Sequence, residues 1–242
     1  MNPMRGNRRP SFQESKSLCL NRAPFHPVPS LTPDELLTTT RAVRRRLDLS
    51  RPVERKVVEE CVAIASQAPN AGNRQGVHFV VVADKDKRAS LAKIYRKGSA
   101  AYFEQARAAL KKATGNPKGD ATMRRIFDSG LYLNEHLQEV PVHVIPCVNG
   151  RMEGQSVPAQ AARWGSIFPA AWSFMLAGRA RGLGMTFTTL HLNCEEEAAE
   201  LLGIPYSEVT QAGLLPVAYY KGSRFKPASR PPLTQFVHWD AW

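Results

Sequence analysis

Only four short apolar runs in this chain read as strands, and the segments between them follow no repeating strand–helix period. Phe79–Ala83, Val142–Val148, Met185–Leu192 and Leu214–Tyr220 are β-branched or apolar and bounded by turn residues, the pattern of buried strands. Two helical stretches, residues 85–113 and about 119–138, separate the first pair and are broken by Gly115-Asn116-Pro117. One long helix, about Ala159–Arg181 with Gly182 as its stop, follows the second run. A short helix, Glu195–Leu202, joins the third to the fourth. No GxGxxG follows a strand, which disfavours a dinucleotide-binding Rossmann arrangement. What remains is a single sheet covered by helices on both faces.

Ordered structure is expected to begin at Thr32-Pro33-Asp34-Glu35. Thr32 suits an N-cap, Pro33 the first helical position, and Glu35 closes a capping box. This first helix is predicted to run to about Arg41. A second, Val53–Ser66, carries Val57, Cys61, Ile64 and Ala65 at helical spacing on one apolar face. Residues 1–31 are rich in Pro, Arg, Asn and Ser and hold no apolar stretch of the ~7–15 residues a secretory signal needs, since Ser17–Leu20 is too short. They read as a disordered basic extension, with residues 32–242 as one domain. Cys19, Cys61, Cys147 and Cys194 form no CxxC pair and six histidines form no HExxH, so neither a disulfide framework nor a metal site is expected. Cys61 and Cys147 sit in apolar periods and read as small core residues. No apolar run approaches the ~20 residues of a membrane span, and the cytoplasm is the default compartment.

The net charge of +12 is local. Residues 1–30 hold Arg5, Arg8, Arg9, Lys16 and Arg22 against Glu14 alone. Residues 41–56 hold Arg41, Arg44, Arg45, Arg46, Arg51, Arg55 and Lys56 against Asp48 and Glu54. A nucleic-acid binder spreads its basic stripe over a folded face and interleaves aromatic residues, which is not the pattern here. The second cluster better suits a compact anion such as a ligand phosphate.

Four segments are candidates for chemistry, each with a bland reading beside it. Arg41 and Arg44 are three apart, on one face if the helix persists, and can fork onto phosphate oxygens; they can equally form a solvated basic face. Ala68-Pro69-Asn70-Ala71-Gly72-Asn73-Arg74-Gln75 offers amides that read the edge of a planar heterocycle, or is a plain helix-terminating turn. Gly182–His191 leaves the long helix and enters a strand with adjacent Thr188 and Thr189, which either form β structure or point polar groups into a pocket. Arg230, stiffened between Ser229 and two prolines, can supply another phosphate contact.

Together, in this order and separation, the segments resemble the nitroreductase family of homodimeric FMN-dependent oxidoreductases, which includes the iodotyrosine dehalogenases. The likeness covers residues 32–242, and actinobacterial NAD(P)H nitroreductases beginning Thr-Thr-Thr-Arg are the nearest in pattern. Arg41 and Arg44 match the arginines of an Arg-Ser-Val-Arg motif, with Ala42 in place of Ser. Pro69, Asn73 and Gln75 match Ala-Pro-Ser-x-x-Asn-x-Gln-Pro, with Asn70 where Ser is common and Gly76 where Pro is common. Gly182-Leu183-Gly184 and Thr188-Thr189-Leu190 are similar to the segment beside the flavin, and Arg230-Pro231-Pro232 to an Arg-x-Pro near the C-terminus, followed by His238-Trp239-Asp240. The resemblance implies an α+β fold with a central mixed sheet flanked by helices on both faces, and a homodimer holding FMN at its interface. Arg41, Arg44 and Arg230 would neutralise the phosphate. Asn70, Asn73 and Gln75 would address the ribityl chain or ring edge, and Thr188, Thr189 and nearby N–H groups would face N5 and O4. NAD(P)H would give a hydride to the flavin, which passes it to an electron-poor small molecule, a nitroaromatic or quinone, in a ping-pong cycle with no protein triad or metal. No nucleic acid or membrane takes part. The aromatic stretch from Tyr95 to Asn134 would be the lid. An FMN-binding storage or sensor protein with little turnover is the alternative, and a basic nucleic-acid-associated protein a third reading.

The chain closes on Phe236, Val237, Trp239 and Trp242. Burying such aromatics is worth ~1.5–3 kcal/mol each, so the tail is expected either to fold back on its own core or to pack on a second subunit.

Overall fold

A computed structural model describes residues 30–112, 114–223 and 225–242. Most of the expected basic extension, with Cys19 and His26, lies outside the described residues. Among the described residues, six α-helices surround a five-stranded sheet of order β1-β2-β5-β3, with β4 pairing the other end of β2. The helices are α1 (Pro33–Thr39), α2 (Arg55–Ala65), α3 (Lys85–Ala109), α4 (Pro117–His136), α5 (Val157–Arg179) and α6 (Glu195–Leu202). The strands are β1 (Val77–Val82), β2 (Val142–Asn149), β3 (Leu183–Met185), β4 (Val209–Gln211) and β5 (Leu215–Tyr219). All ladders between these strands are antiparallel; parallel pairing enters only as isolated bridges such as Ala42 to Met185.

β2 is central, and its alternation divides the core. Val142 and Val144 face one way, into a cluster with Phe174 of α5 and Val58, Cys61 and Ala65 of α2. Ile145 and Cys147 face the other, against Leu91, Ala92 and Tyr95 of α3, Leu133 of α4 and Ala198 of α6. Leu215 and Val217 of β5 join the first cluster, Leu214 and Ala218 the second. Burial on both faces explains why these strands read as near-continuous apolar runs. Burial also pushes the thiols of Cys61 and Cys147 up to about 11 and about 12, as befits core residues.

Capping holds as expected at α1: Thr32 Oγ1 accepts from the Glu35 N–H at 3.2 Å and Glu35 Oε2 accepts from the Thr32 N–H at 2.8 Å. Four expectations are corrected. First, α1 stops at Thr39 rather than about Arg41. Thr38, Thr39 and Thr40 are weak helix formers, and the chain beyond them leaves to hydrogen-bond the sheet edge, the Val43 N–H donating to Met185 O at 2.9 Å. Arg41 and Arg44 therefore share no helical face. Second, α2 buries Val58 beside Cys61 and Ala65, with Val57 partly buried against the same cluster, and leaves Ile64 exposed. Third, the strand predicted over Met185–Leu192 is Leu183–Met185, ending where the Phe187 ring crosses Gly213, at which a Cβ would stand 2.5 Å from the ring. Thr188 makes only an isolated bridge to Leu214, and Leu190–Cys194 form a 3₁₀ turn. Fourth, a fifth strand, β4, forms at Val209–Gln211, where the sequence has no apolar run and the sequence reading places no strand.

The tail does not fold back within one chain. Leu233, Phe236 and Trp239 are exposed, Trp239 by 85%, and Trp242 fully so. The outer face of α5 adds exposed Val157, Phe168 and Trp172. Among the described residues no helix is long and apolar enough to cross a membrane.

Candidate functional site

The segment after α1 is sewn to the sheet by its backbone. Val43 bonds Met185, the Asp48 N–H donates to Tyr219 O at 2.7 Å, and Val43 and Leu47 are buried. Gly184 makes the approach feasible, since a Cβ there would lie 3.0 Å from Val43. With the backbone fixed, the arginines of this cluster divide by what they touch. Arg45 lies over the Tyr132 ring at 5.5 Å and Arg51 over Tyr219 at 3.4 Å. Arg46 lies 4.1 Å over Phe225 and donates from Nε to Lys221 O at 2.7 Å, and Arg55 pairs with Glu59 at 2.6 Å. Arg41 and Arg44 have no such partner among the described residues, and neither does exposed Arg230.

Arg44 opens into a cleft of about 220 Å³ that it shares with Thr188, Thr189 and Leu190. The α3–α4 hairpin supplies the other wall through Tyr95, Tyr102, Phe103 and Phe127. Tyr95 is buried, and its hydroxyl lies 3.0 Å from Thr188 Oγ1. Burial raises the Tyr95 pKa against the opposing pull of Thr188 and Arg44, so the phenol stays protonated. Thr188 spends both backbone groups on Leu214, donating at 3.0 Å and accepting at 2.7 Å, so its own N–H is not available to a ligand. The N–H groups of Thr189 and Leu190, at the opening of the 3₁₀ turn, meet no acceptor among the described residues. Gly98 of α3 sets the height of that turn: a Cβ there would be 2.4 Å from Leu190 O, and Asn193 Nδ2 donates to Gly98 O at 2.7 Å.

Asn70 and Gln75 lie elsewhere. They line a separate cleft of about 270 Å³ with Val62, Ser66, His78 and Ala170, which has no lining residue in common with the first. The loop partly satisfies itself: Asn70 Oδ1 accepts the Gln75 N–H at 3.0 Å, and Gln75 Nε2 donates to Asn73 Oδ1 at 2.8 Å. Ser166 of α5 anchors it by accepting the Ala71 N–H at 3.0 Å. Gly72, Asn73 and Gln75 all have positive φ, 60°, 51° and 55°. Asparagine takes left-handed geometry readily in turns, but Gln75 there is uncommon and marks a constrained loop. Pro69 and Asn73 are exposed beside this cleft without lining it, as Ala42 and half-buried Arg41 do not line the first. The structure thus brings Arg44, Thr188, Thr189 and Leu190 together, and Asn70 with Gln75, but does not join the two groups. Sequence reasoning missed Gly98, Ser166 and the Tyr95–Thr188 contact, because each acts through a neighbour distant in the chain.

A family model described as the Nitroreductase family matches residues 37–219. Similar solved structures include oxidized iodotyrosine deiodinase bound to FMN and 3-iodo-L-tyrosine, at 17% identity over 86% of this chain and 99% of that one, with a TM-score of 0.65. A BluB-like flavoprotein from Clostridium difficile 630 matches at 16% identity over 86% of this chain and 99% of its own, with a TM-score of 0.63. Nitroreductase A from Vibrio parahaemolyticus RIMD 2210633 matches at 16% over 86% and 75%, with a TM-score of 0.61. At such identities the likeness establishes the fold. No curated protein sequence matches the chain. Since the family model spans well over half of the residues, from α1 through β5, the chain belongs to the nitroreductase family.

Proposed function

We propose that this chain is an FMN-dependent oxidoreductase that passes reducing equivalents from NAD(P)H to an electron-poor small molecule, a nitroaromatic or quinone, and that it works as a homodimer. Residues 32–242 form the FMN-binding domain in this reading, and the cytoplasm is its setting. One observation carries it. Within the basic cluster, Arg45, Arg46, Arg51 and Arg55 are engaged by aromatic rings or a carboxylate, while Arg41 and Arg44, the two assigned to a phosphate, have no ring or carboxylate partner among the described residues. A guanidinium kept free beside two unspent N–H groups and an apolar wall suits a flat anionic cofactor.

Arg44, with Arg41 and Arg230, would hold the phosphate. The Thr189 and Leu190 N–H groups would donate to the polar edge of the ring, and Tyr95 would orient the Thr188 hydroxyl. When bound, the flavin supplies hydride transfer through its N5, chemistry that no side chain here can perform. The protein's part is to grip, to orient and to exclude water under the α3–α4 hairpin. The second cleft supports a dimer in this reading. Asn70, Asn73 and Gln75 serve the same flavin if a second copy brings its loop to the first copy's Arg44 cleft. The exposed aromatics of α5 and of the tail offer the apolar surface such an interface needs.

Purified protein, examined by visible absorption with and without NADPH or NADH, tests the reading. Bound or added FMN that bleaches with the nucleotide and recovers with a quinone is expected. Colourless protein that ignores added FMN overturns it. Bound FMN that neither nucleotide reduces assigns the chain to storage or sensing instead.

A further inference from the structure

We propose that the free end of the α3–α4 hairpin is an acceptor subsite for the anionic end of an elongated aromatic molecule; as a subsite for an acceptor it rests on the oxidoreductase reading. The cleft at Arg44 and Thr188 is about 220 Å³, below the ~300–1,000 Å³ of drug-sized ligand sites. It continues into a second cavity of about 360 Å³, because Tyr102, Ile126 and Phe127 line both. The shared wall is aromatic: Phe103 meets Tyr102 edge-on at 5.3 Å and Phe127 edge-on at 6.0 Å. Tyr102, Ile126 and Met123 are all exposed, so an apolar strip runs outward from the cleft.

The far end of the strip is cationic. Lys111, Lys112 and Arg124 line it with a single carboxylate, Asp120. Asp120 is already committed, accepting from the Thr114 N–H at 3.1 Å and from Thr114 Oγ1 at 2.6 Å, bonds that hold its pKa low. Lys111 and Lys112 have no ion-pair partner among the described residues. An apolar trough that starts at a redox site and ends on unpaired cations fits a flat ring system carrying a sulfonate, carboxylate or phosphate at one end. Ring faces would stack on Tyr102 and Phe127 while the anion meets the ammonium groups.

Anthraquinone-2-sulfonate and its neutral analogue 2-hydroxymethylanthraquinone test this, with the full-length protein and its Lys111→Glu/Lys112→Glu variant. These lysines sit on an exposed turn, so the fold should be retained; Arg124→Gln is the second variant. Binding is read by quenching of tryptophan fluorescence, and turnover by KM and kcat on the FMN-loaded enzyme. Charge reversal is expected to weaken binding of the sulfonate by about tenfold or more, to raise its KM to match, and to leave kcat and the neutral analogue unchanged. Added salt should weaken the parent's hold on the sulfonate alone. Equal effects on both quinones, or none on either, overturn the subsite. Lysine-dependent binding of the sulfonate with no reduction of either quinone overturns the oxidoreductase reading and leaves the binding site.

Discussion

Gly98→Ala sets two well-known effects against each other at one atom. Gly98 lies inside α3, where replacing glycine by alanine normally gains about 1 kcal/mol of helix stability. Its missing Cβ, however, is where the Leu190 carbonyl oxygen sits, 2.4 Å from the ideal position. Carbon–oxygen contacts run at about 3.3–3.6 Å, so the turn must retreat by roughly 1 Å. The obstacle is backbone, held in place by the bond from Asn193 to Gly98 O, and cannot rotate away. Overpacking of this kind costs about 1–3 kcal/mol, so the steric term wins and a net loss of about 1 kcal/mol is expected. In a chain of this length that is about 2–4 °C in Tm. The displaced turn carries the N–H groups of Thr189 and Leu190, so FMN affinity should fall by about tenfold as well. Gly130→Ala is the comparison: its Cβ would meet the Phe103 ring at an ordinary 3.5 Å, and the apoprotein should gain stability. Thermal melts and FMN titration of both variants check this. Gly98→Ala melting higher, as Gly130→Ala should, with FMN affinity unchanged, would refute the reasoning.

Arg44→Ala should weaken FMN binding by about tenfold or more while leaving the apoprotein's Tm alone, since a charge-assisted bond is worth about 1.5–3 kcal/mol and the Arg44 side chain has no ring or carboxylate partner among the described residues. Arg46→Ala should do the reverse, lowering Tm by releasing Phe225 and Lys221; flavin retention and melting curves of the pair separate the roles, and equal losses of flavin would contradict them. His143 and His191 are buried without charge, and burial lowers each pKa to about 4. The unfolded chain, with histidines near 6.5, then binds more protons, so stability is full above that value and is lost as pH falls from about 6.5 towards 4, by about 2 kcal/mol for each ring at pH 5. Urea midpoints at pH 7 and pH 5 read this, and His143→Gln should flatten the slope; a midpoint that does not move between them rules it out. Removing Val237–Trp242 should loosen self-association in sedimentation, and an unchanged profile would show that the tail takes no part in it.

The fold was legible wherever the signal was local. Helix ends with local stop or start signals agree with the sequence reading: α1 opens on the Thr32–Glu35 side-chain box, and α6 spans Glu195–Leu202 as expected, closed by the backbone of Gly203 at a φ of 69°. Legibility failed where tertiary contact sets the boundary. Nothing in Met185–Leu192 announces that Phe187 must pass Gly213 and end the strand, and nothing in Val209-Thr210-Gln211 announces a strand at all. That short strand is held by groups far off in sequence: Gln211 N–H donates to Glu195 Oε1 at 2.9 Å, and Val209 O accepts from Arg151 at 2.9 Å.

The candidate site shows the same division. Type and spacing single out the arginines, yet Arg41 and Arg44 share no helical face, because the helix does not persist and α1 ends before either. What selects them is subtraction. Their neighbours are taken up by Tyr132, Phe225, Tyr219 and Glu59, partners that only the folded chain assembles. Linear order hid a second point as well. The Asn70–Gln75 loop and the Arg44–Thr188 cleft read as one constellation along the sequence, but they open into different cavities of one chain. In the proposed reading a ligand that uses both would draw them from two copies, and the exposed α5 and tail aromatics are where those copies would meet. Cofactor binding and self-association would then be a single equilibrium. Dilution should release the flavin, and flavin should tighten the dimer by the same factor.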